Sequence, residues 1–367
     1  MFARHAVAVL LLTGTTSATA QGPNAREQAS GYVQVAELVV DGVHLIRQAQ
    51  PNFAGVIGNT TVIEQRDGLV LIDAGVSHGS GVRIVELVRS ISSKPVKAVV
   101  LTHWHGDHHL GLSAIVAAWP RAEIIAHRNA AADIDTLMRA FPRTPSAEYE
   151  AQRITSLGAA MDQLVGKEMA EATTAEERAG WHAALVGNRQ IRFDDVAGTH
   201  LVLPTRSFVD TLTLPDATAP IELRFLGRAN TTGDIVAWLP QQQVLVAGDV
   251  VVEPVPFMIN VFPTDLMRTL DQLHRIPFQV LIPGHGLPQR DHALLNRLSD
   301  LVRDAVEQVT PLVRAGVPVD SIPARTNFSR HRPLFAGSDP WLGYWFDGYT
   351  VAPLILSVIA EVQRATP

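Results

Sequence analysis

His103-Trp104-His105-Gly106-Asp107-His108 packs three imidazoles and one carboxylate into six consecutive positions. The run follows Lys97–Leu101, a short and mostly apolar stretch that reads as a strand buried on both faces. At an extended strand end, residues two apart point the same way, so His103 and His105 can share one cation. Gly106 permits a sharp turn, because it tolerates positive φ. Asp107 and His108 can then aim at a second point nearby. Four nitrogen or carboxylate donors within six residues make a metal site by ligand type.

Such a site needs further donors, and three stand where other strand-like runs end. Asn230 lies in Gly227-Arg228-Ala229-Asn230-Thr231-Thr232-Gly233-Asp234. Asp249 follows Val244–Ala247, and His285 follows Leu281-Ile282 in a Pro-Gly-His-Gly turn. Residues at strand ends along one sheet edge converge on a crevice, the usual ligand position in α/β folds. Cysteine is absent. That excludes disulfides, thiolate nucleophiles, Fe–S clusters and sulfur-ligated zinc.

Together these residues resemble the metallo-β-lactamase-fold hydrolases. The resemblance runs over about 30–290. It takes in Asn59, the strand end Leu71-Ile72-Asp73-Ala74-Gly75, the HxHxDH motif, Gly233-Asp234, Gly248-Asp249 and Gly284-His285-Gly286. It implies an α/β fold, an αβ/βα sandwich with metals at one edge between two sheets. It also implies two zinc ions. The first would be held by His103, His105 and Asn230, the second by Asp107, His108 and His285, with Asp249 bridging them. The family carries histidine where this chain has Asn230. An amide oxygen is neutral and donates less charge, so the first position is expected to be weaker, or Asn230 to hold a bound water.

The implied function is a hydrolase in which a metal-bound hydroxide attacks a carbonyl, that of a β-lactam or of another cyclic amide or ester. Asp107 and Asn230 are its catalytic candidates, Asp107 as ligand, orienter and proton acceptor. Asp249 in the bridging position resembles lactonases and glyoxalase-type thioesterases. Iron-dependent oxidoreductases of the same fold use similar ligands. The change at Asn230 leaves a non-catalytic binding protein as a further reading. Asp73 and Asp234 read either as partners of a ligand histidine's ring N–H or as turn-capping aspartates. Arg228 reads as a salt-bridge former or a binder of a substrate carboxylate, and Trp104 as a wall of the site or a packing residue. His109 is expected to face away from His108.

The elements that must position these residues begin as β structure. Val33–Val40 and Val43–Arg47 flank Asp41-Gly42, and Thr60–Glu64 and Leu69–Ile72 flank Asp67-Gly68. Both dipeptides are hairpin signals. Gly81–Ser92 and Leu112–Trp119 have helical spacing, and Ala122–Ala126 reads as a strand. Residues 128–190 read as a helical insertion, with a helix start at Thr144-Pro145 and a capping box at Thr174…Glu177. Further strands are expected at Leu201–Leu203, Phe208–Leu214, Ile221–Leu226, Ile235–Leu239, Val244–Ala247 and Val280–Ile282. Helices are expected at Leu266–His274 and 291–316. Residues 291–367 form a C-terminal helical extension with an aromatic cluster, Phe335, Trp341, Tyr344, Trp345, Phe346 and Tyr349.

Composition sets the remaining limits. The 367 residues carry 30 Lys+Arg against 36 Asp+Glu, a net charge of −6. That lacks the basic excess of a nucleic-acid binder, so the expected partner is a small-molecule substrate. Residues 1–20 read as a signal peptide: Arg4, a short apolar run from Ala6 to Leu12, then Ala18-Thr19-Ala20 as a cleavage signal. The mature protein is expected to begin near Gln21 and to be periplasmic or secreted. No later stretch reads as long and apolar enough for a membrane anchor. Oligomeric state is not legible.

Overall fold

The computed structural model describes residues 33–49, 57–190 and 196–365. The expected signal segment lies outside them. Alternating and continuous apolar runs build twelve strands among these residues. The first seven are β1 (Gln34–Val40), β2 (Val43–Gln48), β3 (Thr60–Glu64), β4 (Leu69–Ile72), β5 (Val96–Leu101), β6 (Glu123–His127) and β7 (Arg206–Phe208). They form one sheet in sequence order. It is antiparallel from β1 to β4 and parallel from β4 to β7. The others are β8 (Thr211–Leu214), β9 (Ile221–Phe225), β10 (Ile235–Leu239), β11 (Val244–Gly248) and β12 (Val280–Pro283). They form a second sheet in the order β12-β11-β10-β9-β8, in which only β11 and β12 run parallel.

The helices are α1 (His78–Ile91), the single turn α2 (Gly106–His109), α3 (Leu112–Ala118), α4 (Arg128–Leu137), α5 (Ala147–Gln152), α6 (Gly158–Glu171), α7 (Ala175–Gln190), α8 (Pro263–Leu273), α9 (Ala293–Arg314), α10 (Arg332–Ala336), α11 (Pro340–Trp345) and α12 (Ala352–Ala365). A π-helical stretch at Phe346–Val351 joins the last two.

Three apolar cores stack these elements into an αβ/βα sandwich, the fold the resemblance implied. Between the sheets, Leu45, Ile63, Val70, Ile72, Val100 and Ile125 meet Ile221, Leu223, Ile235, Ala237, Val246 and Ile282. Outside the first sheet, Leu71, Val99, Leu101 and Ile124 pack on Ile84 and Val88 of α1, Leu112 and Ile115 of α3, and Ala130 and Ile134 of α4. Outside the second, Val236, Trp238, Leu245 and Leu281 pack on α8, α9 and α12. Alternation along β10 shows the logic. Ile235, Ala237 and Leu239 face the other sheet, while Val236 and Trp238 face the helices, so all five are buried.

Several sequence expectations need correction. Leu201–Leu203 is not a strand: the Leu201 N–H goes to the Pro142 carbonyl at 2.7 Å, while its side chain joins the first sheet's outer core. Phe208–Leu214 is not one strand but the crossover between sheets, with β7 ending at Phe208 and β8 starting at Thr211. Helix α5 starts after Ser146, whose hydroxyl accepts from the Tyr149 N–H at 3.2 Å, two residues beyond the expected Thr144. The capping box stands: Thr174 Oγ1 accepts from the Glu177 N–H at 3.0 Å and Glu177 reaches back to the Thr174 N–H. Contrary to the expectation of none, the helical run 340–365 has the length and mean hydropathy, 1.3, to cross a membrane by composition alone. Its Leu354, Ile355, Val358 and Ile359 are instead buried in the core outside the second sheet.

Candidate metal centre

The site lies where the ends of β4, β5, β11 and β12 and the approach to β10 share one edge. β10 runs antiparallel to β11, so its start lies beside the end of β11. The Ile235 N–H bonds the Thr102 carbonyl at 2.9 Å, tying the two sheets together at that edge.

Asp73 follows β4 in the left-handed region, at φ 64°, a conformation that aspartate tolerates better than most residues. Its Oδ1 accepts the Thr102 N–H at 2.8 Å and its Oδ2 the Thr102 hydroxyl at 2.7 Å. Oδ2 also lies 2.8 Å from His108 Nδ1. Asp73 thus fixes the His108 ring and leaves Nε2 free to face the site, the usual support of a ligand histidine. His103 Nδ1 is held by the Thr102 hydroxyl at 3.0 Å. Asn59 supports the far side. Its amide donates to the Pro283 and Gly286 carbonyls at 2.9 and 3.1 Å, and its N–H to the Gly284 carbonyl at 2.7 Å. That staples the turn bearing His285 to the first sheet.

These supports bring six predicted donors into two groups. His103, His105 and Asp249 form one, and Asp107, His108 and His285 the other, each with ligand atoms within 4.8 Å of one another. Asp249 also touches the second group, with Oδ1 3.2 Å from His108 Nε2 and 3.5 Å from His285 Nε2. Asp107 Oδ2 lies 3.2 Å from His285 Nε2. Asn230 sits beside them, its Nδ2 3.5 Å from Asp249 Oδ2.

The donor set fits a metal. His103 Nε2 and Asn230 Oδ1 are buried without a hydrogen-bond partner among the described residues, which costs about 1–3 kcal/mol each unless something pairs with them. Two histidine Nε2 atoms, of His108 and His285, face each other at 3.1 Å. Burial alone would push the Asp107 and Asp249 carboxyls up, but His108 and His285 hold both well below the usual carboxylate range. Against its own burial, His285 is raised to about 9 by Asp249 and Asp107. Burial keeps the His103 and His105 imidazoles low, hence neutral and ready to donate.

Other expectations resolve plainly. Asp234 does not meet a ligand histidine: its Oδ2 accepts from the Thr231 N–H at 2.6 Å and hydroxyl at 2.9 Å, closing the turn after Asn230. Arg228 pairs with Asp265 at 2.6 Å and lies over the Phe262 ring. Trp104 packs on the His105 ring at 4.6 Å. Phe257 meets that ring edge-on at 5.9 Å, and sequence reasoning missed it. It follows Pro254-Val255-Pro256 and carries no motif.

His109 faces away, its Nε2 donating to the Trp104 carbonyl at 3.0 Å while Nδ1 is buried without a partner among the described residues. Burial pushes this imidazole down to about 4. A proton on Nδ1 would be a buried donor lacking an acceptor, so the folded state resists it while the unfolded chain accepts it near 6.5. This contribution to stability is therefore complete above pH 6.5 and falls as pH drops toward 4, by about 3 kcal/mol. His109→Gln should lose less stability than the native protein between pH 7 and 4.5 in denaturant titrations. Equal losses would contradict this account.

Residues 54–311 match the profile of the metallo-beta-lactamase superfamily. The chain belongs to that superfamily. Membership supports a metal-dependent hydrolase. A linear primary-alkylsulfatase of Pseudomonas sp. (strain ATCC 19151) is 24% identical over 307 residues, 78% of this chain and 52% of that protein. Another linear primary-alkylsulfatase from Pseudomonas sp is 30% identical over 79 residues, 21% of this chain and 11% of its own length. The solved structure of a stereoselective inverting sec-alkylsulfatase from Pseudomonas sp. shares the fold. It has a TM-score of 0.60 and 18% identity, covering 89% of this chain and 50% of that one. The chain thus spans about half the length of the first relative and of this structure.

Proposed function

We propose that the protein hydrolyses an ester of a small molecule with two divalent metal ions, zinc in the first instance. The observation that supports this best is Asp249, whose two oxygens face the two donor groups. His103, His105 and Asp249 would hold one ion, with Asn230 beside it, and Asp107, His108 and His285 the other. When bound, such ions make water acidic enough to attack at neutral pH and polarise the bond that breaks. The residues supply the rest. Asp73 and Thr102 keep His108 and His103 in the tautomers that present Nε2. Asp107, 21% exposed at its side chain while Asp249 is 5% exposed, is the carboxylate open to solvent and the better placed to accept a proton from the attacking water.

Two substrate classes follow. Alkyl sulfate esters lead, because the linear primary-alkylsulfatase relative aligns across both donor groups' span of this chain. Cyclic amides and esters, β-lactams and lactones among them, are the second class, on the strength of the HxHxDH resemblance. A panel of alkyl sulfates, β-lactams, lactones and thioesters on zinc-loaded protein tests this. Turnover of none of them would contradict it. Export rests on the Ala18-Thr19-Ala20 pattern, and N-terminal sequencing should begin near Gln21.

The Asn230 amide makes the two positions unequal in this proposal. The Asp107, His108 and His285 position should fill first in a zinc titration. Asn230→His should tighten the other position about tenfold or more, the scale of a change at a ligand's immediate support. Two equally tight positions, unmoved by Asn230→His, would show that Asn230 takes no part.

A further inference from the structure

His105 is the one histidine of its donor group with no hydrogen bond to its ring among the described residues. His103 has Thr102, and His108 in the other group has Asp73. A ligand histidine normally takes its orientation from a partner on its second nitrogen. Around His105 the described contacts are ring contacts instead: its fellow donor His103 at 4.7 Å and 83°, Trp104 at 4.6 Å and 68°, and Phe257 at 5.9 Å and 88°. Edge-to-face packing at these distances has a preferred geometry and stabilises by about 0.5–1.5 kcal/mol.

What fixes Phe257 comes from the far end of the chain. The Thr350 hydroxyl, fully buried, donates to the Pro256 carbonyl. The Met258 N–H donates to the Tyr349 carbonyl at 3.0 Å. These two bonds bracket Phe257 on both sides. The segment that makes them is itself clamped. Trp345 packs on Tyr349 at 4.0 Å, and Trp181 of α7 meets Trp341, Tyr344 and Trp345. The Tyr344 hydroxyl donates to Glu168 of α6 at 3.1 Å. Gly180 lies so close to the Trp341 ring that a Cβ there would come within 2.2 Å of it.

We infer that the helical insertion and the C-terminal aromatic segment act together as a clasp on the metal centre, with Thr350 as a positioning residue that sets Phe257 against His105. The inference rests on the reading of His105 as a metal ligand. It gives the two additions to the sandwich a common task, which is to orient a ligand whose ring has no polar partner among the described residues.

Cobalt(II) titration of the full chain, followed by visible absorption and thermal unfolding, tests it. Phe257→Ala and Thr350→Val should each weaken the His103, His105 and Asp249 position about tenfold and shift its absorption bands, leaving the other position unchanged. Thr350→Ser keeps the hydroxyl and should restore native binding and spectrum, which a loss of packing alone would not explain. Phe257 is half-buried, so Phe257→Ala carries the test if Thr350→Val fails to fold. Native isotherms and spectra in both Phe257→Ala and Thr350→Val would overturn the inference while leaving the metal reading intact. A native protein that binds no cobalt would overturn both.

Discussion

Asp249→Ala should empty both proposed metal positions together. Asp249 follows β11, with Oδ2 3.6 Å from His103 Nε2 and Oδ1 3.2 Å from His108 Nε2. No other described side chain faces both donor groups with two oxygens. Removing the support of a ligand typically costs 10–100-fold in metal affinity, and removing a shared ligand should cost at least about that at each position. Turnover should fall with occupancy. The side chain is small and lies at the sheet edge outside the apolar cores, so the fold should survive. Zinc content after dialysis, read beside the circular dichroism melt, checks this. A folded Asp249→Ala protein that retains two zinc ions would contradict it.

Gly284→Ala should damage the site almost as severely without replacing a ligand. A Cβ at this position would stand 1.9 Å from Asp249 Oδ1, 2.7 Å from the Gly248 carbonyl carbon and 2.8 Å from the Asp249 nitrogen. Two of these atoms are backbone and cannot swing aside. The turn bearing His285 must then move away from β11, separating His285 from Asp249. Overpacking of this kind costs about 1–3 kcal/mol, and the expected metal loss is at least tenfold. Gly166→Ala is the control: it lies in α6 with nothing within 4 Å of a Cβ, so alanine should be neutral or stabilising by up to about 1 kcal/mol. Native melting temperature and zinc affinity in Gly284→Ala would contradict the close approach.

The candidate donors were legible because metal chemistry needs residue types that are rare at such density, and because each follows an apolar run whose end can be located. His103, His105, Asp107 and His108 lie next to each other in sequence, and Asp249 and His285 each follow a short buried strand. What was not legible depends on distant pairing. Thr350 reaches Pro256 across 94 residues, and no local pattern announces that bond. Asp234 reads equally as a ligand's partner or a turn cap until the Thr231 bonds are seen. Leu201–Leu203 has strand composition, but its backbone bonds to a loop and not to a ladder. Binary patterning reports burial, and burial alone does not choose between a strand and a packed coil.

Anomalous diffraction at the zinc edge, from crystals of the full chain grown with zinc, tests the central claim most directly. Two peaks are predicted, one enclosed by His103, His105 and Asp249 with Asn230 beside it, and one by Asp107, His108 and His285, the second at higher occupancy. Crystals with no anomalous peak among these residues would contradict the account.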